Sequence, residues 1–306
     1  MIDCGSIYDL AISLGCKAEK EKNLRNYTTI KIGGICPLFI EINCADSCRE
    51  LVKKCSEMFV SFVILGKGSN VIIDDNGIDS VVLYMGNDFS DIKLTDENTI
   101  CCNAGTPLSR LCQFALENSL GGLEFAWGIP GTVGGAVYMN AGAYGGEIKD
   151  VIFSASACDN SGYIFEYKNK DMNLSYRKSV FSDNKQIILS ASFKLQKQNT
   201  ENIKNRMAEL LEKRKSKQPL EYPSAGSMFK RPEGNYAAAL IEQSGLKGFN
   251  IGGAEVSTKH SGFVINKDNS SFNDMMKLIQ YVKDNVFEKT GYMLEHEPII
   301  LSDRKD

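Results

Sequence analysis

The chain has 306 residues, 43% hydrophobic and 24% charged, with a net charge of −3. That is the composition of a soluble globular protein long enough for two or three domains. It excludes the basic stripe of a nucleic-acid binder and any apolar run near the ~18 residues of a membrane span.

The first twenty residues carry no basic leader ahead of an apolar core, so a cytoplasmic protein is expected. All ten cysteines lie between Cys4 and Cys158, with no CxxC pair. Cys48 and Cys55 join Leu51, Val52 and Phe59 at helical spacing, which predicts free thiols acting as small core hydrophobes. No metal site is expected, since two histidines and these spacings match no ligand pattern.

In chain order, β-branched runs predict strands over 38–42, 62–66 and 81–85. Asp46 is the predicted cap of a helix over 46–58, and Thr106-Pro107 opens another through 118. Alternating patterns predict strands over 151–159, 162–168 and 186–195. A charge-rich helix follows within 196–217. The last ninety residues read as an α+β unit: a helix over 236–244, strands over 254–256 and 262–265, and an amphipathic helix over 272–289. Phe272, Met275, Met276, Ile279 and Val286 form the apolar stripe of that last helix. The fold class expected is α+β.

Between the helix ending at 118 and the strand at 151, residues 121–146 hold 9 of the 27 glycines, and Glu124 is the one charged residue before Gly146. Glycine lets backbone turn sharply or approach another group closely, and amides offered from tight turns make a concavity for anions. Gly66-Lys67-Gly68-Ser69-Asn70, after a strand, is a second such loop. Val71 stands where a dinucleotide fingerprint needs glycine, and no GxxxxGK[ST] occurs. The two loops suggest a grip on one extended diphosphate ligand.

Six motifs carry a resemblance over nearly the whole chain: GKGSN, EFAWGIPGTVGGAVYMNAGAYGGE, LSYRKSVF, SAGSMFKRP, LIEQSGLKG and LEHE. Together they resemble the UDP-N-acetylenolpyruvoylglucosamine reductase family. The first two resemble the wider vanillyl-alcohol-oxidase (PCMH) superfamily of FAD domains. The resemblance implies an FAD-binding domain over 1–197, in subdomains of about 1–66 and 67–197, and a substrate-binding domain over 198–306. It implies NADPH as hydride donor to non-covalent FAD; tethered relatives use a histidine or cysteine, and no histidine precedes His260. UDP-N-acetylglucosamine enolpyruvate is the implied substrate, with no nucleic acid, membrane span or obligate protein partner.

Residue by residue, the resemblance makes Ser227 the proton donor and Arg177 the stabiliser of carboxylate charge. It makes Glu297 the C-terminal catalytic glutamate, with Glu295 as the alternative two residues away. For the cofactor it implies Gly66, Lys67, Gly68, Ser69 and Asn70 in one loop. In the other it implies Gly128, Ile129, Pro130, Gly131, Thr132, Gly134, Gly135, Ala141 and Gly142. Tyr144, Tyr176, Lys217 and Arg231 are implied for substrate. Only 50 positions separate Arg177 from Ser227, which is similar to the shorter, second type of the family. His260 is expected to be structural, and Trp127 to pack near the flavin. Two rivals are an oxidase of the same superfamily and a catalytically silent binding protein; the joint presence of Ser227, Arg177 and Glu297 favours the reductase.

Overall fold

In the computed structural model, which describes residues 4–303, the chain forms two compact units. The first comprises the chain up to Lys20, Pro37–Lys67 and Ser80–Lys213; the second comprises Glu21–Cys36, Gly68–Asp79 and Arg214 onward. The resemblance implies a division along the chain instead, at about 66 and at 197. The units interleave because Ile30, Ile32 and Ile72 are buried in the core of the second unit, with Met228, Leu240 and Leu278.

The first unit is built on two sheets. Ile35–Glu41, Val81–Tyr84 and Phe62–Leu65 run parallel, and Lys17–Asn23 lies on the edge. Val81, Val82 and Leu83 are all buried, as parallel strands covered on both faces require. The second sheet is antiparallel, in the order Ile164–Lys168, Ile152–Cys158, Ile187–Lys194, Thr99–Asn103, Ile92–Leu94.

The helix expected over 46–58 is Ala45–Glu57, with Cys48, Leu51, Val52 and Cys55 buried. Its cap is Cys44 rather than Asp46: the Cys44 Sγ accepts from the Ser47 amide at 3.4 Å. Phe59 departs from the predicted stripe. It lies past the helix end at φ 55 and is 96% exposed, because a left-handed residue there turns the chain off the helical face. All ten cysteines, each among the described residues, are thiols outside any disulfide. Burial pushes the Cys55 and Cys112 thiols up to about 12, so they behave as apolar side chains rather than nucleophiles.

The second unit carries a four-stranded antiparallel sheet in the order Ser224–Ser227, Phe263–Asn266, Ala254–Val256, Asn250–Ile251. Helix Phe272–Thr290 buries Phe272, Met275, Leu278, Ile279, Val282 and Val286. It starts on a Ser271/Asp274 capping box and stops at Gly291, φ 76; both ends are satisfied by the devices expected of a well-bounded helix. Val71–Ile73 pairs in parallel with Ile299–Leu301, joining the near-N-terminal and C-terminal parts of this unit. Among the described residues no helix is long and apolar enough to cross a membrane.

Candidate active site

In the first unit the glycine stretch enters the short helix Val133–Tyr138 through Gly128-Ile129-Pro130-Gly131-Thr132. Gly128 and Gly131 take φ 85 and 140, a region that side-chain-bearing residues avoid. A Cβ on Gly66 would sit 2.6 Å from the Thr132 Oγ1, so the strand-end loop and this segment touch with no room for a side chain. Some amides of this segment serve the fold itself. Val133 and Gly134 donate to the carbonyls of Thr106 and Ala104, each at 2.8 Å, and a methyl on Gly134 would lie 2.9 Å from the Ala104 Cβ. Gly135 donates to the Thr132 hydroxyl at 3.5 Å.

Downstream, Gly142-Ala143 pairs with Gly146-Glu147. Tyr144 and Gly145 form the turn at φ 54 and 87, the double positive φ of a two-residue hairpin whose twist matches its strands. Tyr144 is exposed at that tip. A second two-residue turn carries Tyr176 and Arg177. The Ser175 amide donates to the Lys178 carbonyl at 3.0 Å, and the Lys178 amide donates back at 3.2 Å. Arg177 takes φ 56, with its guanidinium 5.1 Å from the centre of the Tyr176 ring.

Two polar residues inside the quoted motif, Asn140 and Glu147, had no assigned role and lie beside these turns. The Asn140 Nδ2 donates to the Glu147 Oε2 at 3.0 Å, and Lys149 Nζ lies 2.7 Å from the same oxygen. The Lys149 bond holds the Glu147 carboxyl below its usual range, helped by Asn140 and by the charges of Lys149 and Arg177. The available signal was an asparagine in an otherwise apolar, glycine-rich run, where a buried amide must find partners.

In the second unit, Ser224–Ser227 pairs with Phe263–Asn266 through an irregularity. Ser224 faces Ile265 and Ser227 faces Phe263, so three steps on one strand meet two on the other. Gly226, φ 78, absorbs the extra residue, a bulge that re-aims the following side chain. Just beyond, the Met228 amide donates to the Gly262 carbonyl at 2.8 Å, and the Met228 carbonyl accepts from the Glu297 amide at 2.9 Å. The Glu297 side chain is half-buried, with its Oε2 shut off from solvent. Glu295 is 75% exposed and pairs with Lys230 at 3.1 Å.

Gly68, Ser69 and Asn70 belong to this unit. The Ile299 amide donates to the Asn70 carbonyl at 2.9 Å, and the Asn70 Nδ2 reaches the Glu297 carbonyl at 3.4 Å. Thr29 ties the loop to the serine strand: its hydroxyl donates to the Ser224 carbonyl at 2.7 Å, and its amide donates to the Gly68 carbonyl at 3.1 Å. The backbone thus joins Gly68–Asn70, Ser227 and Glu297 in one network. The His260 Nδ1 accepts from the Gly262 amide at 3.1 Å, and burial lowers the imidazole below its ordinary range. Lys217 ends the helix Thr200–Lys217 and is exposed. Arg231 is exposed too, 4.8 Å over the Tyr236 ring. Lys67 is exposed in the first unit, and Ala141 is anchored by its amide on Ala136 at 2.8 Å.

Comparison with known proteins bears on both units. Residues 37–168 match a family model described as an FAD binding domain. Residues 218–301 match the C-terminal domain of UDP-N-acetylenolpyruvoylglucosamine reductase. The enzyme of that name from Clostridium novyi is 47% identical over 292 residues, 95% of this chain and 94% of its own. Its namesake from Clostridium tetani is 43% identical over 300 residues, 98% of this chain and 97% of its own. The crystal structure of the reductase from Thermus caldophilus superposes with a TM-score of 0.79 at 32% identity, covering 94% of this chain and 99% of that one. With 47% identity sustained over 95% of its length, the chain belongs to the UDP-N-acetylenolpyruvoylglucosamine reductase family.

Proposed function

We propose that this FAD enzyme uses NADPH to reduce UDP-N-acetylglucosamine enolpyruvate to UDP-N-acetylmuramate, a precursor of peptidoglycan. The first unit fits a flavin nucleotide read largely through main chain. Gly66 lies against Thr132 with no space for a Cβ, and 128–132 holds two glycines at positive φ. Gly66, Lys67, Gly128–Thr132, Gly135, Ala141 and Gly142 are its proposed contacts there, with Gly134 packing beneath them; Gly68, Ser69 and Asn70 are those proposed from the second unit. The chemistry supplied by bound FAD is a hydride relay from NADPH to the methylene carbon of the enolpyruvyl ether.

The rest of the proposal concerns the protein's own groups. Once the methylene carbon has become a methyl group, negative charge collects on the adjacent carbon and spreads into the carboxylate. A guanidinium meets a carboxylate through a planar fork and keeps its charge at any working pH, which suits Arg177 to stabilising that form. The adjacent carbon must then take a proton. Ser227 Oγ is the proposed donor: an alcohol is a weak acid, so it serves only a strongly basic carbon held at hydrogen-bonding range. Glu297 is proposed to orient that donor, and Lys217, Arg231, Tyr144 and Tyr176 to bind the UDP-sugar.

The observation that carries the reading is the position of Met228, whose amide and carbonyl join the Ser227 strand to Gly262 and Glu297. A bulge at Gly226 and this double anchor hold a serine and a half-buried glutamate on adjoining backbone. Of the two candidate glutamates, Glu297 fits better, since Glu295 is committed to an exposed ion pair.

The test is an anaerobic titration of the purified protein. Bleaching of a yellow flavin by NADPH and its return on adding the enolpyruvyl nucleotide would support both half-reactions. Return only with oxygen would favour the oxidase reading, and a protein that holds no flavin even with added FAD would defeat the proposal.

A further inference from the structure

We infer that Asn140 is a positioning residue for Arg177, and that its buried carboxamide fixes the turn on which Tyr176 and Arg177 are carried. The inference rests on the role proposed above for Arg177.

Asn140 is 1% exposed and takes φ 43, a backbone state that asparagine tolerates better than most residues. Its side chain makes three hydrogen bonds to two separate segments, 147–149 and the Ser175 turn. Nδ2 donates to the Ser175 carbonyl and to the Glu147 Oε2, each at 3.0 Å. Oδ1 accepts from the Lys149 amide at 2.9 Å. These partners settle the amide's orientation, because turning it over would place Oδ1 against two acceptors.

The Ser175 carbonyl is the base of the Arg177 turn, already accepting from the Lys178 amide. With the Asn140 bond it accepts twice, so the turn is tied to the glycine-rich segment from one side. From the other side, the Ser179 hydroxyl donates to the Tyr138 carbonyl at 2.7 Å. Both ties lead to the stretch 138–140, where the helix Val133–Tyr138 ends. An exposed two-residue turn is otherwise mobile; clamped at both ends, it presents Arg177 in one position. The Glu147 carboxylate completes the arrangement. Lys149 and Asn140 hold it, and it lies within the electrostatic reach of Arg177. Preorganising a charged fork in this way matters because misplacement by about 1 Å costs roughly 10²-fold in rate.

Asn140→Gly removes the clamp while suiting the positive φ, and Asn140→Asp keeps the volume but sets a carboxylate beside Glu147 and the Ser175 carbonyl. Each is compared with wild type and with Arg177→Ala in anaerobic stopped-flow. The readouts are flavin content, melting midpoint, bleaching by NADPH and reoxidation by the enolpyruvyl nucleotide. The expected result is unchanged flavin content, bleaching within about twofold, and reoxidation slowed roughly 10–100-fold. The double variant Asn140→Gly/Arg177→Ala should reoxidise no more slowly than Arg177→Ala alone, since residues acting as a unit are non-additive. Losses that multiply in the double variant, or wild-type reoxidation in both Asn140 variants, would overturn the inference. If Arg177→Ala alone reoxidised normally, the proposed role of Arg177 would fall first and this inference with it. Should Asn140→Gly not fold, the same cycle run with Asn140→Asp decides the matter.

Discussion

The amide of Glu297 donates to the carbonyl of Met228 over 2.9 Å, which places a half-buried carboxylate on backbone paired next to Ser227. The same isolated bridge, Phe229 against His296, is closed on its other side by the Lys230 amide, which donates to the Glu295 carbonyl, also at 2.9 Å. Both glutamates are therefore anchored by backbone and differ in what their side chains meet. Glu295 ends in solvent on Lys230, and such exposed pairs are generally worth less than about 1 kcal/mol. Glu295→Gln should leave turnover and stability close to wild type. Glu297→Gln should lower kcat by roughly 10²-fold or more, if the carboxylate orients a proton donor. Steady-state turnover of the two variants side by side checks this, and equal losses would dismiss the distinction.

Ser227→Ala separates the half-reactions. The side chain is half-buried, and the bulge around Gly226 is held by backbone bonds of Met228 that the substitution leaves in place. Flavin content and bleaching by NADPH should therefore persist. Reoxidation by the enolpyruvyl nucleotide should slow by about 10²–10⁴-fold, the usual contribution of a positioned proton donor. Reoxidation at the wild-type rate would remove Ser227 from that role.

Long, strongly periodic segments were legible in the sequence. The stripe of Phe272, Met275, Ile279 and Val286 gave the helix Phe272–Thr290 to within a residue or so, and the alternation over 186–195 gave the strand Ile187–Lys194. Other strands were invisible for definite reasons. Lys17–Asn23 is almost all charged because it lies on a sheet edge. Val71–Ile73 and Ile299–Leu301 are three residues each and acquire their pairing from opposite parts of the chain. The interleaved units escaped reading for the same reason, since no local pattern says that Ile30 and Ile72 share a core with Leu278. Motif residues were legible as chemistry, but the bonds that position them were not. Asn140 on Ser175 and Thr29 on Ser224 span 35 and 195 positions.

Two glycines of the second unit should respond differently to alanine. At Gly226 the nearest atom to an added Cβ is the Ser69 carbonyl oxygen at 4.0 Å, so only the φ of 78 is strained. The cost of a left-handed alanine is about 1–2 kcal/mol, with a further loss of turnover if the bulge relaxes. At Gly68 the added Cβ would stand 2.1 Å from the Tyr27 carbonyl oxygen and 2.9 Å from the Thr28 Cα. Backbone must move there, adding the ~1–3 kcal/mol of overpacking to the strain. Urea midpoints should rank wild type above Gly226→Ala above Gly68→Ala; the reverse order of the two variants would contradict the packing described.

Stability should fall on mild acidification because of the histidines. Burial lowers His260 and His296 below their ordinary range. In the unfolded chain both titrate near the usual ~6.5, so just below that pH the unfolded state binds more protons than the folded one. Stability then rises with pH, and the histidine contribution is present above about 6.5 and lost as pH falls through the depressed folded values, at no more than about 1.4 kcal/mol per pH unit for each proton. Around His260, Glu242 opposes the shift while Lys217 and Lys247 support it. Its Nδ1 accepts from Gly262, a bond that protonation would break at the residue whose carbonyl holds Met228. Urea midpoints at pH 7.5 and 5.5 stay above the ordinary range of the carboxylates and isolate this effect. The wild type should be weaker at pH 5.5. His260→Asn keeps an acceptor two residues before Gly262 but has no proton to gain, so its drop should be smaller, with His296 supplying the remainder. A drop as large as that of the wild type would show that His260 keeps its charge on folding and that its bond to Gly262 carries no pH dependence.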